Sequence, residues 1–364
     1  MKITAIHAHY VRIPYDMGAK GPEFAGLRFP SQDHLLIQVE TDAGITGWGE
    51  GFGLSACATT KAAFDLMVAP LALGRDADDI PALMEDLARK LSNSARNGPV
   101  AYALSGLDIA LWDIAGKKAG KPVYQMLGGP AVERMPVYAS LLRYGRADLV
   151  EKNAAEAVAR GYKHVKLHEI TEPEVAIARR AIGSKTALMV DTNCPWTSDE
   201  AIAMARRFQP HDLLWLEEPV WPPEDYEGLA RVCSEGGVKI AAGESGGTFA
   251  DMRQLVQTAK VDFLQPSVTK IGGITEMRRV IALAQSHGVS VQPHSPYFGP
   301  GLVASIHICA ALPGRPPVER FYCDLEASPF GDQVVAKDGF MQVPNGPGLG
   351  LVVDEAVIAR YRVK

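Results

Sequence analysis

Three acidic residues at matching points of a repeating pattern constrain this chain more than any other feature. The apolar run Leu213-Leu214-Trp215-Leu216 reads as a short strand buried on both faces, and it ends in Glu217-Glu218-Pro219. Ala187-Leu188-Met189-Val190 ends in the same way at Asp191, and Val238-Lys239-Ile240-Ala241-Ala242-Gly243 at Glu244. Asp191, Glu217 and Glu244 are 26 and 27 residues apart, the length of one strand, one helix and two loops. In a parallel barrel successive strand ends converge on one face. Burying a carboxylate is costly unless a cation or hydrogen bonds compensate it. Three carboxylates meeting on one face therefore make an all-oxygen site for a hard divalent cation, read here as Mg²⁺. A single acid at a strand end is ordinarily a helix cap or a surface charge; repetition at one spacing argues otherwise.

The rest of the chain supports a barrel. From Met135 to about Cys323 the pattern is strand then helix, repeated, with candidate strands at Met135–Ser140, His164–Leu167, Ala187–Val190, Leu213–Leu216, Lys239–Ala242, Phe263–Gln265, Ser290–Gln292 and Glu319–Tyr322. Eight strands with alanine-rich crossover helices predict a (β/α)8 TIM-like barrel over 130–325. An open doubly wound sheet would need a glycine-rich turn after its first strand, which is absent. Residues 1 to about 55 alternate as antiparallel strands, with Thr41-Asp42-Ala43-Gly44 as a hairpin turn. Helical periodicity follows over 59–91, broken between Pro70 and Pro81, and then over 100–116, where apolar residues run all the way round. Asp108 and Asp113 in that buried helix read as structural. Leu127-Gly128-Gly129-Pro130 breaks the chain, giving an α+β domain over 1–129. The segment 326–364 returns to strand and turn and is expected to complete that first domain. Between the first two strands, residues 16–26 hold three glycines and a proline, which reads as a loop of the kind that serves as a lid.

Composition excludes several function classes. A net charge of −5 with no basic run gives nothing for nucleic acid to bind. No apolar stretch is long enough to span a membrane, and the chain opens directly on strand-like alternation, so a cytoplasmic protein is expected. The five cysteines are scattered without CxxC spacing and read as free thiols, with Cys194 close enough to Asp191 to line the site.

The candidate chemistry lies around the acids. Lys166 and His168 flank Leu167 at the end of the second barrel strand, and period-two geometry points both toward the barrel mouth. His294 ends the seventh strand. Candidate bases thus face each other across the cation, an arrangement suited to removing a proton α to a carboxylate. A neighbouring cation would lower the pKa of Lys166 and make it usable as a base.

The chain resembles the enolase superfamily and, within it, the mandelate racemase and muconate lactonizing group. The residues that carry the resemblance are Gly47-Trp48-Gly49-Glu50, Trp112-Asp113-Ile114-Ala115-Gly116-Lys117, Leu127-Gly128-Gly129, Asp191-Thr192-Asn193, Glu217-Glu218-Pro219, Gly243-Glu244 and Lys270-Ile271-Gly272-Gly273, in order over nearly the whole chain. The resemblance implies a capping α+β domain, Mg²⁺ on Asp191, Glu217 and Glu244, substrate contacts from residues 16–30 including Phe24, and Asn193, Glu319 and Ser267 near the substrate. It also implies an enediolate intermediate, a small-molecule carboxylate substrate and a homo-oligomer. Two departures stand out. The second strand carries Lys166-Leu167-His168 where the family often has Lys-x-Lys. The sixth strand carries Ser267 where racemase-like members have an Asp that pairs with the seventh-strand His. Without that Asp the tautomer of His294 is less fixed, which suits a general acid better than an abstracting base. Dehydration of a hydroxy acid, such as a sugar acid, is the leading expectation. A racemase, epimerase or cycloisomerase is the alternative, and a non-catalytic cation-binding homologue is a third class.

Overall fold

The structure is a computed structural model describing residues 1–19, 23–24 and 27–364, with residues 23–24 and 27–28 as backbone only. The chain begins with β1 (Ile3–Asp16), a short pair β2 (Glu23–Phe24) and β3 (Leu27–Arg28), then β4 (Ser31–Thr41) and β5 (Thr46–Gly51). β1, β4 and β5 pair antiparallel as a meander. At the β4–β5 turn the Thr41 hydroxyl donates to the Ile45 carbonyl at 2.9 Å and accepts from the Ile45 amide at 3.2 Å. The expected substrate contacts from residues 16–30 fall largely outside the described residues, and the Phe24 side chain with them.

Behind this sheet lies the buried helix Pro99–Ala119, preceded by helices Cys57–Ala63, Ala69–Ala72 and Ile80–Lys90. The Gly-Trp-Gly motif of β5 has a packing reason. A Cβ on Gly49 would sit 2.0 Å from the Gly106 carbonyl oxygen, and one on Gly47 would sit 2.3 Å from that of Ala110. Only glycine lets strand and helix backbones approach so closely. The other side of the helix meets the barrel: the Trp112 indole N–H donates to Thr275 Oγ1 at 2.9 Å, and the Gly272 amide to Ser105 Oγ at 2.9 Å.

Eight parallel strands then follow, each but the last leading into a helix: β6 (Arg134–Ser140), β7 (His164–Leu167), β8 (Ala187–Asp191), β9 (Leu213–Glu217), β10 (Ile240–Ala242), β11 (Phe263–Leu264), β12 (Ser290–Val291) and β13 (Val318–Phe321). Their order is β12-β11-β10-β9-β8-β7-β6-β13. The two ends of that path are tied by the Ser295 hydroxyl, which donates to the Glu319 carbonyl at 3.1 Å. This is the expected TIM-like barrel, and its strands fall within a residue or so of the positions read from the sequence. Inside it, Tyr138, Met189, Trp215 and Ala241 form a closed apolar layer beneath the strand ends.

The C-terminal residues reach back. β14 (Asp324–Leu325) pairs with β1, β15 (Phe340–Gln342) pairs antiparallel with β6, and beyond helix Glu355–Tyr361 the Val363 amide donates to the Tyr10 carbonyl at 2.8 Å. Among the described residues no helix is long and apolar enough to cross a membrane. The five cysteines are free thiols.

Candidate active site

Asp191 and Glu217 are the last residues of β8 and β9, and Glu244 follows β10 by two residues. One oxygen from each lies within 4.8 Å of the others. The backbone at this rim is unusual: Asn193, Cys194 and Glu218 all have positive φ (53°, 55° and 45°). Such conformations cost of order 1–3 kcal/mol each and persist only where surrounding bonds impose them. Here the Cys194 amide donates to the Glu218 carbonyl at 2.6 Å, while the Asn193 amide and side chain both donate to Asp191 Oδ1 at 3.1 and 3.0 Å. Gly243, at φ 143°, passes so close to the next strand that a Cβ would lie 2.9 Å from the Gln265 amide nitrogen. Its own amide donates to Glu218 Oε1 at 2.8 Å. The helix after the Asp191 loop starts at a capping box, Thr197 with Glu200, worth about 1 kcal/mol.

Lys166 requires a correction. It points into the barrel as expected but does not reach the mouth. Its ammonium is fully buried below the cavity, 3.2 Å from Asp191 Oδ2, 2.7 Å from Glu217 Oε1 and 2.9 Å from Glu319 Oε1. Burial alone would push its pKa down; the carboxylates of Glu217, Glu319 and Asp191 outweigh burial and hold it well above the usual lysine value. Here it is a counter-ion for the acids. Against burial, which would raise them, Lys166 and His168 hold Asp191 at about 2, and Lys166 and His294 hold Glu319 at about 2. Glu217 goes the other way: burial and then the Asp191 charge push it well above the carboxylate range. Asp191, Glu217 and Glu319 crowd one buried ammonium, and Glu244 beside them has an imidazole, so the acids outnumber the lysine that faces them. That excess, with an all-oxygen donor set, fits a hard divalent cation on Asp191, Glu217 and Glu244.

His168, just beyond β7, stands 3.2 Å from Asp191 Oδ2 through Nε2. Its Nδ1 lies 2.6 Å from the Leu141 carbonyl, which can only accept, so Nδ1 carries the hydrogen and Nε2 is the exchanging nitrogen. His294 Nε2 lies 3.0 Å from Glu244 Oε2, while its buried Nδ1 has no hydrogen-bond partner among the described residues. Ser267 also requires a correction. It was expected beside the substrate, yet it is fully buried off the cavity, bridges to His294 only through backbone, and spends its hydroxyl on the Tyr297 phenol. Cys194 likewise turns away and donates to Glu218 Oε2 at 3.3 Å.

His168, His294, Asn193, Glu244 and Glu319 all open on one cavity of about 280 Å³. Phe29 falls in the segment 16–30 expected to contact substrate, but sequence reasoning missed much of the rest of the wall: Tyr15, Phe52, Leu142 and Phe321 make it largely apolar, and Arg143 and Lys270 add cations. Lys270 had a signal, being part of a quoted motif. Its ammonium donates to the Glu244 carbonyl at 3.0 Å and stands 4.4 Å from the centre of the Phe52 ring.

Comparison with known proteins adds to this geometry. Residues 149–357 match the family model described as enolase C-terminal domain-like. Residues 25–128 match that of the mandelate racemase / muconate lactonizing enzyme N-terminal domain. The chain is similar to the D-galactarolactone cycloisomerase of Agrobacterium fabrum, 32% identical over 100% of this chain and 99% of that protein. It is similar to the arabinonate dehydratase of Saccharolobus solfataricus, 30% identical over 93% of each. Among solved structures it is similar to a racemase from Streptomyces coelicolor with bound magnesium, at a TM-score of 0.89 and 27% identity, covering 99% of this chain and 100% of that one.

Proposed function

The chain belongs to the enolase superfamily, in its mandelate racemase and muconate lactonizing group, and from that premise we propose a Mg²⁺-dependent enzyme that removes the proton α to a carboxylate and expels an oxygen from the β carbon. The substrate is a hydroxy acid of the sugar-acid kind and the product a 2-keto acid. The observation that carries this reading is the pair of imidazoles, from strands β7 and β12, that open on one cavity, each set against a different acid of the triad.

Asp191, Glu217 and Glu244 would hold the cation, which when bound supplies Lewis-acid stabilisation of the charge that develops on the substrate carboxylate. His168 takes the α-proton at Nε2, because its other nitrogen is committed to the Leu141 carbonyl. The β-hydroxyl leaves as water by taking a proton from His294, since hydroxide is a poor leaving group without a proton donor. A C–H and a C–O bond break, a C=C bond forms, and the resulting enol tautomerises to the keto acid. Lys166, fixed among Asp191, Glu217 and Glu319, keeps the acids in place beneath these events. A second reading shares the first step and differs in the leaving group. If a ring oxygen departs in place of hydroxide the enzyme is a cycloisomerase, a reading supported by the likeness to the Agrobacterium protein.

Screening hydroxy acids and their lactones for 2-keto acid formation identifies the leaving group, and isotope exchange tests the roles. His294→Asn is expected to lose product formation yet still carry solvent deuterium into the α position, whereas His168→Asn loses both. Exchange with opposite enantiomers in the two variants, with no keto acid from the wild type, would move the protein to the racemases. Exchange in no form, with cation bound, would make it a non-catalytic cation-binding homologue.

A further inference from the structure

Each acid of the triad has two oxygens; Lys166 lies against Asp191 Oδ2 and Glu217 Oε1, and on each acid the other oxygen or an imidazole-facing one has a partner of its own. On Asp191 that oxygen is Oδ1, which accepts from the amide and the side chain of Asn193. On Glu244 it is Oε2, set against His294 Nε2. On Glu217 it is Oε2, which accepts from the Trp215 indole N–H at 2.8 Å. The third restraint differs in kind from the other two. Trp215 sits two residues before Glu217 on β9, so both side chains point into the barrel, one layer apart. The indole is fully buried, with its ring 6.0 Å from Tyr138 at 81° and 5.1 Å from Phe263. A ring packed in this way cannot swing aside, and an indole nitrogen can only donate, whatever the pH.

We propose that Trp215 is a positioning residue that sets the size of the cation the triad accepts. By occupying Glu217 Oε2 it leaves Oε1, which stands 2.7 Å from Lys166 Nζ, as the one oxygen that Glu217 would turn to the cation. Single-oxygen ligation suits the small, octahedral Mg²⁺, whereas Ca²⁺ takes six to eight oxygens and readily uses both oxygens of a carboxylate. Removing the donor frees the second oxygen, which disfavours the small ion and favours the large one. The proposal rests on the cation reading of Asp191, Glu217 and Glu244.

The test is Trp215→Phe, which keeps a ring in the apolar layer and deletes only the donor and one fused ring. Mg²⁺ and Ca²⁺ binding to the purified, chelator-treated protein are measured by calorimetry, without substrate. The expected result is about 10–100-fold weaker Mg²⁺ binding, the usual cost of losing such a supporting hydrogen bond, with Ca²⁺ binding weakened much less or strengthened. A Ca²⁺-to-Mg²⁺ affinity ratio equal to that of the wild type would overturn the proposal, because a purely structural role weakens both ions alike. A wild type that binds neither ion would overturn the cation reading, and the proposal with it. Should the variant fail to fold, ¹⁵N-tryptophan labelling of the wild type decides. One indole N–H signal should be protected from solvent exchange and shift as Mg²⁺ is added, and the absence of such a signal sinks the idea.

Discussion

Two groups among the buried carboxylates of this molecule are satisfied in opposite ways. In helix Pro99–Ala119, Asp113 accepts from the Leu349 amide at 2.7 Å, the Trp48 amide at 2.8 Å and Lys117 Nζ at 2.7 Å. One side chain thus ties the N-terminal sheet, its helix and the C-terminal segment together. Around the barrel mouth, Asp191, Glu217 and Glu319 share a single ammonium, Lys166, and Glu244 has an imidazole. A carboxylate surrounded by fixed donors is finished as a structural element. A set of carboxylates with too few cations holds a charge that something else must complete. The difference separates architecture from function more sharply than burial does, because both groups are buried.

The largest expected effect breaks the barrel side of this contrast. Glu217→Gln should reduce turnover to background and abolish the rise in melting temperature expected of the wild type when Mg²⁺ is added. The cation-free variant should be at least as stable as the cation-free wild type, since it loses a carboxylate that its neighbours repel. Paired melting curves with and without Mg²⁺ check this. Full wild-type activity after exhaustive chelation would refute the cation assignment.

The helix side should behave in the reverse way. Asp113→Ala strips an acceptor from two backbone amides and a partner from Lys117, and removing one member of a buried pair costs about 3–5 kcal/mol. Denaturant unfolding should show that loss, while Mg²⁺ affinity of the folded variant stays at the wild-type value. A cation affinity that fell along with stability would mean that the two groups of acids are coupled through helix Pro99–Ala119.

The sequence made the contrast visible in part. The acids at strand ends could be found because a 26–27-residue period and a barrel's parallel strands leave their ends no other place to go. Asp108 and Asp113 read as structural because their helix is apolar all round. Depth was not legible. Lys166 and His168 share a face by period two, but two residues of strand span about 7 Å. That distance separates a base at the cavity from a counter-ion beneath it. The partner of Ser267 was hidden too: Tyr297 lies 30 residues away, and no local pattern links a serine to it. The return of β14 to β1 likewise depends on tertiary packing that two strand residues cannot announce.

The smallest effect concerns the one helix acid that is incompletely satisfied. Asp108 Oδ1 accepts from the Thr275 amide at 3.0 Å, but its buried Oδ2 has no hydrogen-bond partner among the described residues. Burial, only partly offset by hydrogen bonds from Thr275 and Ile274, pushes its carboxyl up to about 7. The folded-state pKa therefore lies above the unfolded value of about 3.9, so the folded state prefers the proton. The stability this contributes is fully present below about pH 4 and is lost as pH rises through 7. Asp108→Asn keeps the oxygen for Thr275 and cannot ionise, but it places an NH₂ where no acceptor waits, at a cost of about 1 kcal/mol. The variant should be the less stable protein near pH 4. It should gain on the wild type as pH rises and lead by on the order of 2–3 kcal/mol near pH 7. Urea midpoints of both proteins at several pH values would show the two stability curves crossing. Parallel curves would mean that Asp108 titrates alike in the folded and unfolded states, so that burial does not raise its pKa.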